Sequence, residues 1–193
     1  MTGRPRTVSD DAVFRAVADT VTEAGPAGVT LAAVARRAGL TAPALTQRFG
    51  SKRGLLMAFA TREAGSVADP FDAVRATGAG PLETLRDGLI AFTAPIATRE
   101  GMANNLAFLQ LDLTDEELHT HSAAQSRALR AQLSALLTEA VTAGQLKNDD
   151  PAELADTIYA VYAGAQLTWA IDGSGELGPW LAERIDRVLA PYR

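Results

Sequence analysis

The chain has 193 residues and a formal net charge of −5 at pH 7, a length that predicts one or two domains with a substantial core. It contains no cysteine, which excludes disulfide bonds and thiolate metal sites. No apolar run approaches the roughly 20 residues that span a bilayer, and no apolar segment of a secretory signal follows the basic N-terminus. A cytoplasmic protein without a membrane partner is therefore expected.

The charge is unevenly distributed along the chain. The first 65 residues contain nine Lys and Arg against five Asp and Glu, whereas the remainder contains nine against eighteen. A basic front half on an acidic body suits a nucleic-acid contact confined to one end, although a chance imbalance has the same signature. Arg4 and Arg6 in the N-terminal arm are candidates to follow a phosphate backbone or enter a minor groove. The alternative for this arm is a solvated end.

A first helix is predicted to begin after Ser9, whose hydroxyl can accept a hydrogen bond from the opening turn. Asp10 and Asp11 fall in that first turn, where acids complement the helix dipole. The helix should stop at Gly25-Pro26. Its expected task is to support the two shorter helices that follow.

Residues 28–49 show the pattern of a helix-turn-helix motif. Thr30 is a good N-cap for a helix whose apolar positions recur at intervals of three and four residues. Gly39 stands where a helix end favours a left-handed residue. Thr41 can cap the second helix, and Pro43 falls in its first turn, where a missing N–H has no cost.

A fourth helix is predicted to follow Ser51, with Lys52 and Arg53 in its first turn. Cations at this position oppose the helix dipole and are locally unfavourable. A phosphate bound at the helix end would explain the placement better than a merely solvated pair.

The rest of the chain is predicted to be helical too, which gives an all-α fold of about nine helices. Pro95 should kink or end one helix, Asp115 should open a long one, and Asp150-Pro151 is a strong start signal for the next. Breaks are predicted at residues 67–70, 77–81, 144 and 172–175.

The first 60 or so residues resemble the DNA-binding domain of the TetR family of bacterial transcription regulators. That family has a three-helix domain followed at once by a helix that opens with Ser-Lys, and the matching positions align without a gap. They are Gly25, Thr30, Leu31, Val34, Ala35, Ala38, Gly39, Leu40, Thr41, Leu45, Phe49, Ser51, Lys52 and Leu55. The remaining two-thirds is similar only in kind, with several helices of which the last two are amphipathic.

The resemblance implies a helix-turn-helix DNA-binding domain over residues 1–50 and a helical effector-binding and dimerisation domain over 51–193. It implies a homodimer that binds a palindromic operator on double-stranded DNA. The apolar stripes of the last two helices are the expected dimer face, and a place in the core of the single protomer is the alternative for them. A small-molecule effector of unknown identity would occupy the C-terminal domain and release the DNA. Repression is the default expectation because most relatives repress.

The resemblance also implies which residues face DNA. Besides Arg4 and Arg6, the candidates are Thr30, Thr41, Ala42, Pro43, Ala44, Gln47, Arg48 and Lys52. The family often has tyrosine at the positions of Thr46 and Arg48 and a basic residue at the position of Ala42, so the usual aromatic phosphate contacts are missing. Gln47 could pair with adenine, and Arg48 with guanine or a phosphate.

Candidate ligand contacts in the C-terminal domain are mostly aromatic. They are Phe92, Met102, Phe108, Tyr159, Tyr162, Gln166 and Trp169. Additional polar candidates are Asn104, Asn105, His119 and His121. An ordinary place in the core or on the surface is the alternative for each.

Two other functions are weighed against the regulator. An enzyme is disfavoured because His119 and His121 point to nearly opposite sides of a helix, and a Glu-x-x-His spacing occurs once where di-iron bundles need two. Neither a cofactor nor a metal is expected. A helical interaction or ligand-sensing protein with a degraded DNA-binding surface would keep the fold and account for the missing aromatic positions.

Overall fold

The computed structural model describes residues 8–96, 98–147, 150–173 and 175–193. Within these ranges it contains ten α-helices, two short 3-10 helices (Ala94–Ile96 and Ala190–Tyr192) and no strand, so the predicted all-α fold is confirmed. None of these helices is long and apolar enough to cross a membrane. The α-helices are α1 Asp10–Gly28, α2 Leu31–Ala38, α3 Ala42–Phe49, α4 Lys52–Gly65, α5 Asp69–Arg75, α6 Pro81–Thr93, α7 Arg99–Thr114, α8 Glu116–Thr142, α9 Pro151–Asp172 and α10 Leu177–Leu189.

Side-chain caps start the helices where the sequence predicts them. Each capping oxygen accepts a hydrogen bond from a backbone N–H in the first turn, which satisfies one of the donors that a helix start leaves free. The caps at predicted starts are Ser9, Thr30, Thr41, Ser51, Asp115 and Asp150. These starts depend on short-range chemistry, which explains why they could be predicted.

The segment 67–70, predicted as a break, contains the start of another helix. α4 ends at Gly65, and α5 begins at Asp69 with Pro70 in its opening turn. Proline is compatible with a helix start as well as with a helix stop. Phe71 then anchors α5, because its ring is fully buried against the body.

Two hydrophobic clusters organise the chain. The N-terminal cluster is formed by α1 to α4, with Val17, Val34 and Leu45 fully or almost fully buried. The second cluster is formed largely by α5 to α10. Leu55 and Phe59 of α4 also belong to the N-terminal cluster, so the packing of this cluster extends past residue 50. The domain boundary predicted at residue 50 stays a prediction.

Candidate DNA interface and ligand cavity

The turn between α2 and α3 fixes how α3 is presented. Gly39 adopts a left-handed conformation (φ 69°, ψ 28°), and its N–H bonds back to the Ala35 carbonyl, which ends α2. Thr41 then caps α3. On the inner side of α3, Leu45 is fully buried in the N-terminal cluster, so the opposite side of this helix is held towards solvent.

The described residues predicted to face DNA lie at the surface. Thr30, Thr41, Pro43, Gln47 and Arg48 are exposed. Pro43 and Gln47 are four residues apart and therefore share one side of α3. Within the described residues the Gln47 amide has no hydrogen-bond partner, so it is free to meet a base edge.

The other DNA-facing candidates have less exposed or undescribed positions. Ala42, Ala44 and Lys52 are partly exposed. Arg4 and Arg6 lie outside the described residues. Whether any of the ten residues touches DNA stays a prediction.

Arg48 and Lys52 have partners inside the protein. Arg48 donates from Nη1 to the Val8 carbonyl at 2.8 Å and pairs through Nη2 with an Asp10 carboxylate oxygen at 2.5 Å. Lys52 donates from Nζ to the Pro26 carbonyl at 2.8 Å. An ion pair this exposed contributes little to stability, so a DNA phosphate could replace Asp10 as the partner of Arg48.

Arg53 links α4 to the body of the protein. Its guanidinium pairs with Asp115, the N-cap of α8, and with Glu117 at 2.5 Å. The hydrogen bond from Arg53 lowers the pKa of Asp115 to about 2. A phosphate at the start of α4, as the Lys52-Arg53 pair suggested, would therefore compete with partners that both cations already have.

Three neighbouring cavities run from the contact between the N-terminal helices and the body into the body itself. Their volumes are about 420, 310 and 240 Å³. The first is lined by Val21 of α1, Phe59 of α4 and Phe92 of α6. The second shares Phe92 with the first, and the third shares Asp112 with the second. The three are thus adjacent compartments with common walls.

Six of the seven side chains predicted to contact a ligand line these cavities. They are Phe92, Met102, Phe108, Tyr159, Tyr162 and Gln166. Burial raises the pKa of Tyr162 to about 12, and its hydroxyl lies 3.4 Å from that of Thr93. The phenol is therefore a neutral polar group in the wall of the second cavity.

Trp169 lies away from these three cavities. It is buried in the second hydrophobic cluster, and its Nε1 donates to the Gly175 carbonyl at 3.2 Å. Of the polar candidates, Asn105 and His121 line cavity walls. Asn104 instead donates to the Thr22 carbonyl of α1 at 2.9 Å, and His119 is exposed.

Two carboxylates in the cavity walls, those of Glu63 and Asp112, were not predicted from the sequence as ligand contacts. Burial raises the pKa of Glu63 on α4. Burial, with repulsion from Asp115, raises the pKa of Asp112 on α7 to about 6. Glu63 follows Phe59 by four residues and Asp112 follows Leu109 by three, so each shares a helix side with an apolar residue. That spacing was the available signal.

An exposed face of α9 consists of small and apolar residues. Ala160, Ala163 and Gly164 are exposed, and Leu167 and Ile171 retain 42% and 78% of their accessible surface. These five residues are called the α9 stripe below. On α10, by contrast, apolar side chains such as Leu181 are directed inward.

Among the described residues, no three His, Asp or Glu side chains are grouped so that they could hold a metal ion.

Family models match both parts of the chain. The model described as bacterial regulatory proteins, tetR family, matches residues 15–59. The model described as BetI-type transcriptional repressor, C-terminal, matches residues 81–190. No curated protein matches the chain.

Solved structures of regulators share the fold over almost the whole length. A TetR regulator from Streptomyces coelicolor is 22% identical with a TM-score of 0.71 and covers 96% of this chain and 98% of its own. A TetR regulator from Haloarcula marismortui is 16% identical with a TM-score of 0.75, covering 95% and 97%. SmeT, the repressor of a multidrug efflux pump of Stenotrophomonas maltophilia, is 21% identical with a TM-score of 0.65, covering 95% and 90%. With both family models matched and the same fold in these regulators, the chain belongs to the TetR family of bacterial transcriptional regulators.

Proposed function

We propose that this regulator is a repressor that binds a palindromic operator as a homodimer and leaves it when a small molecule fills the cavities. The observation that carries the proposal is the presentation of α3. Leu45 anchors the helix in the N-terminal cluster while Gln47 and Arg48 remain exposed. A short helix held in this way can enter a major groove with its polar side facing the bases.

Pairing of two protomers would place two copies of α3 on one duplex. Successive major grooves on the same side of DNA are roughly 34 Å apart, and a dimer must match that spacing. The α9 stripe supports the proposed pairing through the last two helices, since Ala163 and Gly164 allow another backbone to approach closely. With α9 at the centre of the contact, α9 and α10 of the two protomers would form a four-helix bundle about a two-fold axis.

The position of the cavities supports coupling between ligand and DNA. The first cavity is lined by α1 and α4, which belong to the N-terminal cluster, and by α6 and α7 of the body. A ligand that binds best when these helices move apart would favour a state with a different spacing of the two α3 helices. Coupling of this kind is typically worth about 1–3 kcal/mol.

Selection of random genomic fragments by the purified protein tests the proposal. We expect enrichment of a palindrome with half-sites about one DNA turn apart, and light scattering should give a dimer at micromolar concentration. If no palindrome is enriched, or if the protein is monomeric, the dimeric operator-binding proposal is wrong.

Gln47→Ala is expected to weaken binding to the selected operator by about 1–3 kcal/mol, because an amide that pairs with a base edge is lost. Binding to unrelated DNA should change little, since the contact carries sequence information and no charge. Fluorescence anisotropy with both duplexes measures the difference. Gln110→Ala, which removes an exposed amide of α7, is the control and should leave both affinities unchanged.

Asp10→Asn is expected to strengthen operator binding several-fold at low salt. The change frees Arg48 from its carboxylate partner and removes one negative charge near the proposed DNA surface. Arg48→Ala should do the opposite and reduce the slope of log K against log salt by about 1 if Arg48 contacts a phosphate. Asp156→Asn, which frees Arg130 on the body, is the control.

A second candidate function has one observation in its favour. Both cations of the proposed DNA surface, Arg48 and Lys52, have partners within the chain, which suits an interaction or ligand-sensing protein with a degraded DNA-binding surface. An unchanged affinity and salt slope for Arg48→Ala, together with no gain for Asp10→Asn, would favour this second function.

A further inference from the structure

The walls of the three cavities are acidic. Among the described residues that line them there are three carboxylates, Asp69, Glu63 and Asp112, and neither Lys nor Arg. Asp69 is paired with Arg62. Within the described part of the chain, the carboxylates of Glu63 and Asp112 have neither a hydrogen bond nor an ion pair.

Asp112 is the more unusual of the two. Its Oδ1 is enclosed by the protein and has no hydrogen-bond partner, whereas buried polar atoms in proteins almost always have one. Burial and the neighbouring charge of Asp115 both favour the neutral acid. At a pH above about 6 the Asp112 carboxylate is ionised, and an ionised carboxylate without a partner then destabilises the empty protein. A positively charged partner in the cavity would reverse that effect.

Glu63 brings a second negative charge to the same space. It lines the third cavity together with Asp112. The adjacent Arg62 does not compensate it by pairing, because its guanidinium is bound to Asp11 at 3.1 Å and to Asp69 at 3.3 Å. Glu63 lies on α4, which packs in the same hydrophobic cluster as α2 and α3 of the helix-turn-helix motif.

Aromatic rings complete the surroundings of the two carboxylates. Phe59 and Phe108 meet edge to face, with ring centroids 6.2 Å apart, and both line the third cavity. Tyr159 and Tyr162 line the second cavity beside Asp112. Aromatic faces attract cations and also bury hydrocarbon, so the walls suit a molecule that has both.

We propose that the effector is an organic cation with an apolar body, such as an amine that carries a hydrocarbon or aromatic group. Its charge would lie between Glu63 and Asp112, and its body against the rings of Phe59 and Phe108. The proposal rests on the proposed function, because it concerns the same cavities, and it adds the chemical class of the molecule.

Three probes that differ in their head group test the proposal. They are 4-phenylbutylamine, 4-phenylbutan-1-ol and 5-phenylpentanoate, which share a phenylbutyl body and carry a positive, a neutral and a negative head group. Titration calorimetry at pH 8 measures their affinities for the full chain. We expect the amine to bind at least about tenfold more tightly than the alcohol, and the carboxylate to bind most weakly, since two unpaired carboxylates line the site.

Asp112→Asn and Glu63→Gln locate the charge preference. Each is expected to reduce the ratio of amine to alcohol affinity several-fold while the alcohol affinity changes less than about twofold, because shape is kept and only charge is removed. Asp72→Asn, an exposed acid of α5 outside these cavities, is the control. Asp112→Asn should also raise the melting temperature of the empty protein at pH 8, which rules out loss of folding as the cause.

The affinity for the amine should fall as the pH is lowered from 8 to 5, through about 6, as Asp112 takes up a proton. The other titratable groups near this carboxylate are Glu63, His121, Tyr159 and Tyr162 in the cavity walls and Asp115 beside it. His121 is the basic side chain of this wall, so the profile is compared with that of His121→Gln. A profile that Asp112→Asn flattens and His121→Gln leaves intact supports the proposal.

Three results would overturn it. These are equal affinities for amine and alcohol, a charge preference that survives both Asp112→Asn and Glu63→Gln, and no binding by any probe at millimolar concentration.

Operator release is measured separately. If amine and alcohol release the operator equally, the regulator function holds and the cation proposal is wrong. If the amine binds with the expected preference but the operator stays bound, the cation site holds and release by an effector is wrong.

Discussion

Gly88→Ala is expected to destabilise the protein by about 2–3 kcal/mol, the upper part of the usual range for overpacking a core. Gly88 is buried on α6, and a Cβ there would lie 2.2 Å from Cδ1 and 2.7 Å from Cε1 of Phe71. The Phe71 ring is itself fully buried, so a shift of the ring would disturb the packed core around it. The gain in helix propensity from alanine, up to about 1 kcal/mol, offsets only part of the clash.

The effect should extend to the cavities, because Phe92 follows Gly88 by one helical turn and lines two of them. Denaturant unfolding monitored by circular dichroism measures the loss. Gly65→Ala in α4 is the matched control, since no described residue outside its own stretch of α4 lies within 4 Å of a Cβ there, and it should be neutral or slightly stabilising. The double variant with Phe71→Leu should lose less stability than the two single changes together. Full additivity would mean that the ring is not what excludes the methyl group.

The close approach of Gly88 to Phe71 is a feature that the sequence could not predict, whereas the helix starts could be predicted. The starts of α2, α3 and α4 depend on Thr30, Thr41 and Ser51 bonding to N–H groups three residues away. Such interactions are local, so the pattern of residues is sufficient to predict them. Contacts between α5 and α6 are set by packing, and neither Phe71 nor the helix that carries it was predicted.

The candidate sites divide in the same way. The side of α3 that faces solvent followed from the spacing of Leu45 and Gln47, a property of one helix. The pairing of Arg48 with Asp10 joins residues far apart in the sequence, and only the packing of α3 near α1 brings them together. Asp112 was missed for a similar reason. A single acid in an apolar helix is compatible with a solvated position, and only the neighbouring helices decide that its oxygen is enclosed.

Trp169 and Tyr162 show that the sequence does not tell which buried side chains line a cavity. Both are on α9, seven residues apart, and both are almost completely buried. Tyr162 lines the second cavity, whereas Trp169 packs in the hydrophobic cluster and bonds to Gly175. Their spacing predicts one buried helix side, but it does not tell which part of that side meets a cavity and which part meets close-packed side chains.

Gly164→Glu is expected to separate the proposed dimer and to reduce operator affinity at least about 100-fold. Burying an unpaired carboxylate in an interface costs about 3–5 kcal/mol, and each 1.4 kcal/mol is a factor of ten in affinity. Gly164 lies in the middle of the α9 stripe, and no described residue outside its own stretch of α9 comes within 4 Å of a Cβ at this position. The isolated protomer should therefore fold normally while pairing through α9 is lost.

Light scattering gives the oligomeric state of this variant, circular dichroism its folding, and anisotropy its affinity for the selected operator. Gly65→Glu introduces the same charge at another exposed helical glycine with open space around it, and it should remain dimeric and bind DNA. Loss of both the dimer and operator binding with an intact fold would mean that operator binding requires both protomers, because a single α3 offers too few contacts to hold a specific site. A Gly164→Glu protein that stays dimeric and keeps its operator affinity would place the interface elsewhere. The exposed Leu167 and Ile171 would then need a different partner to cover them.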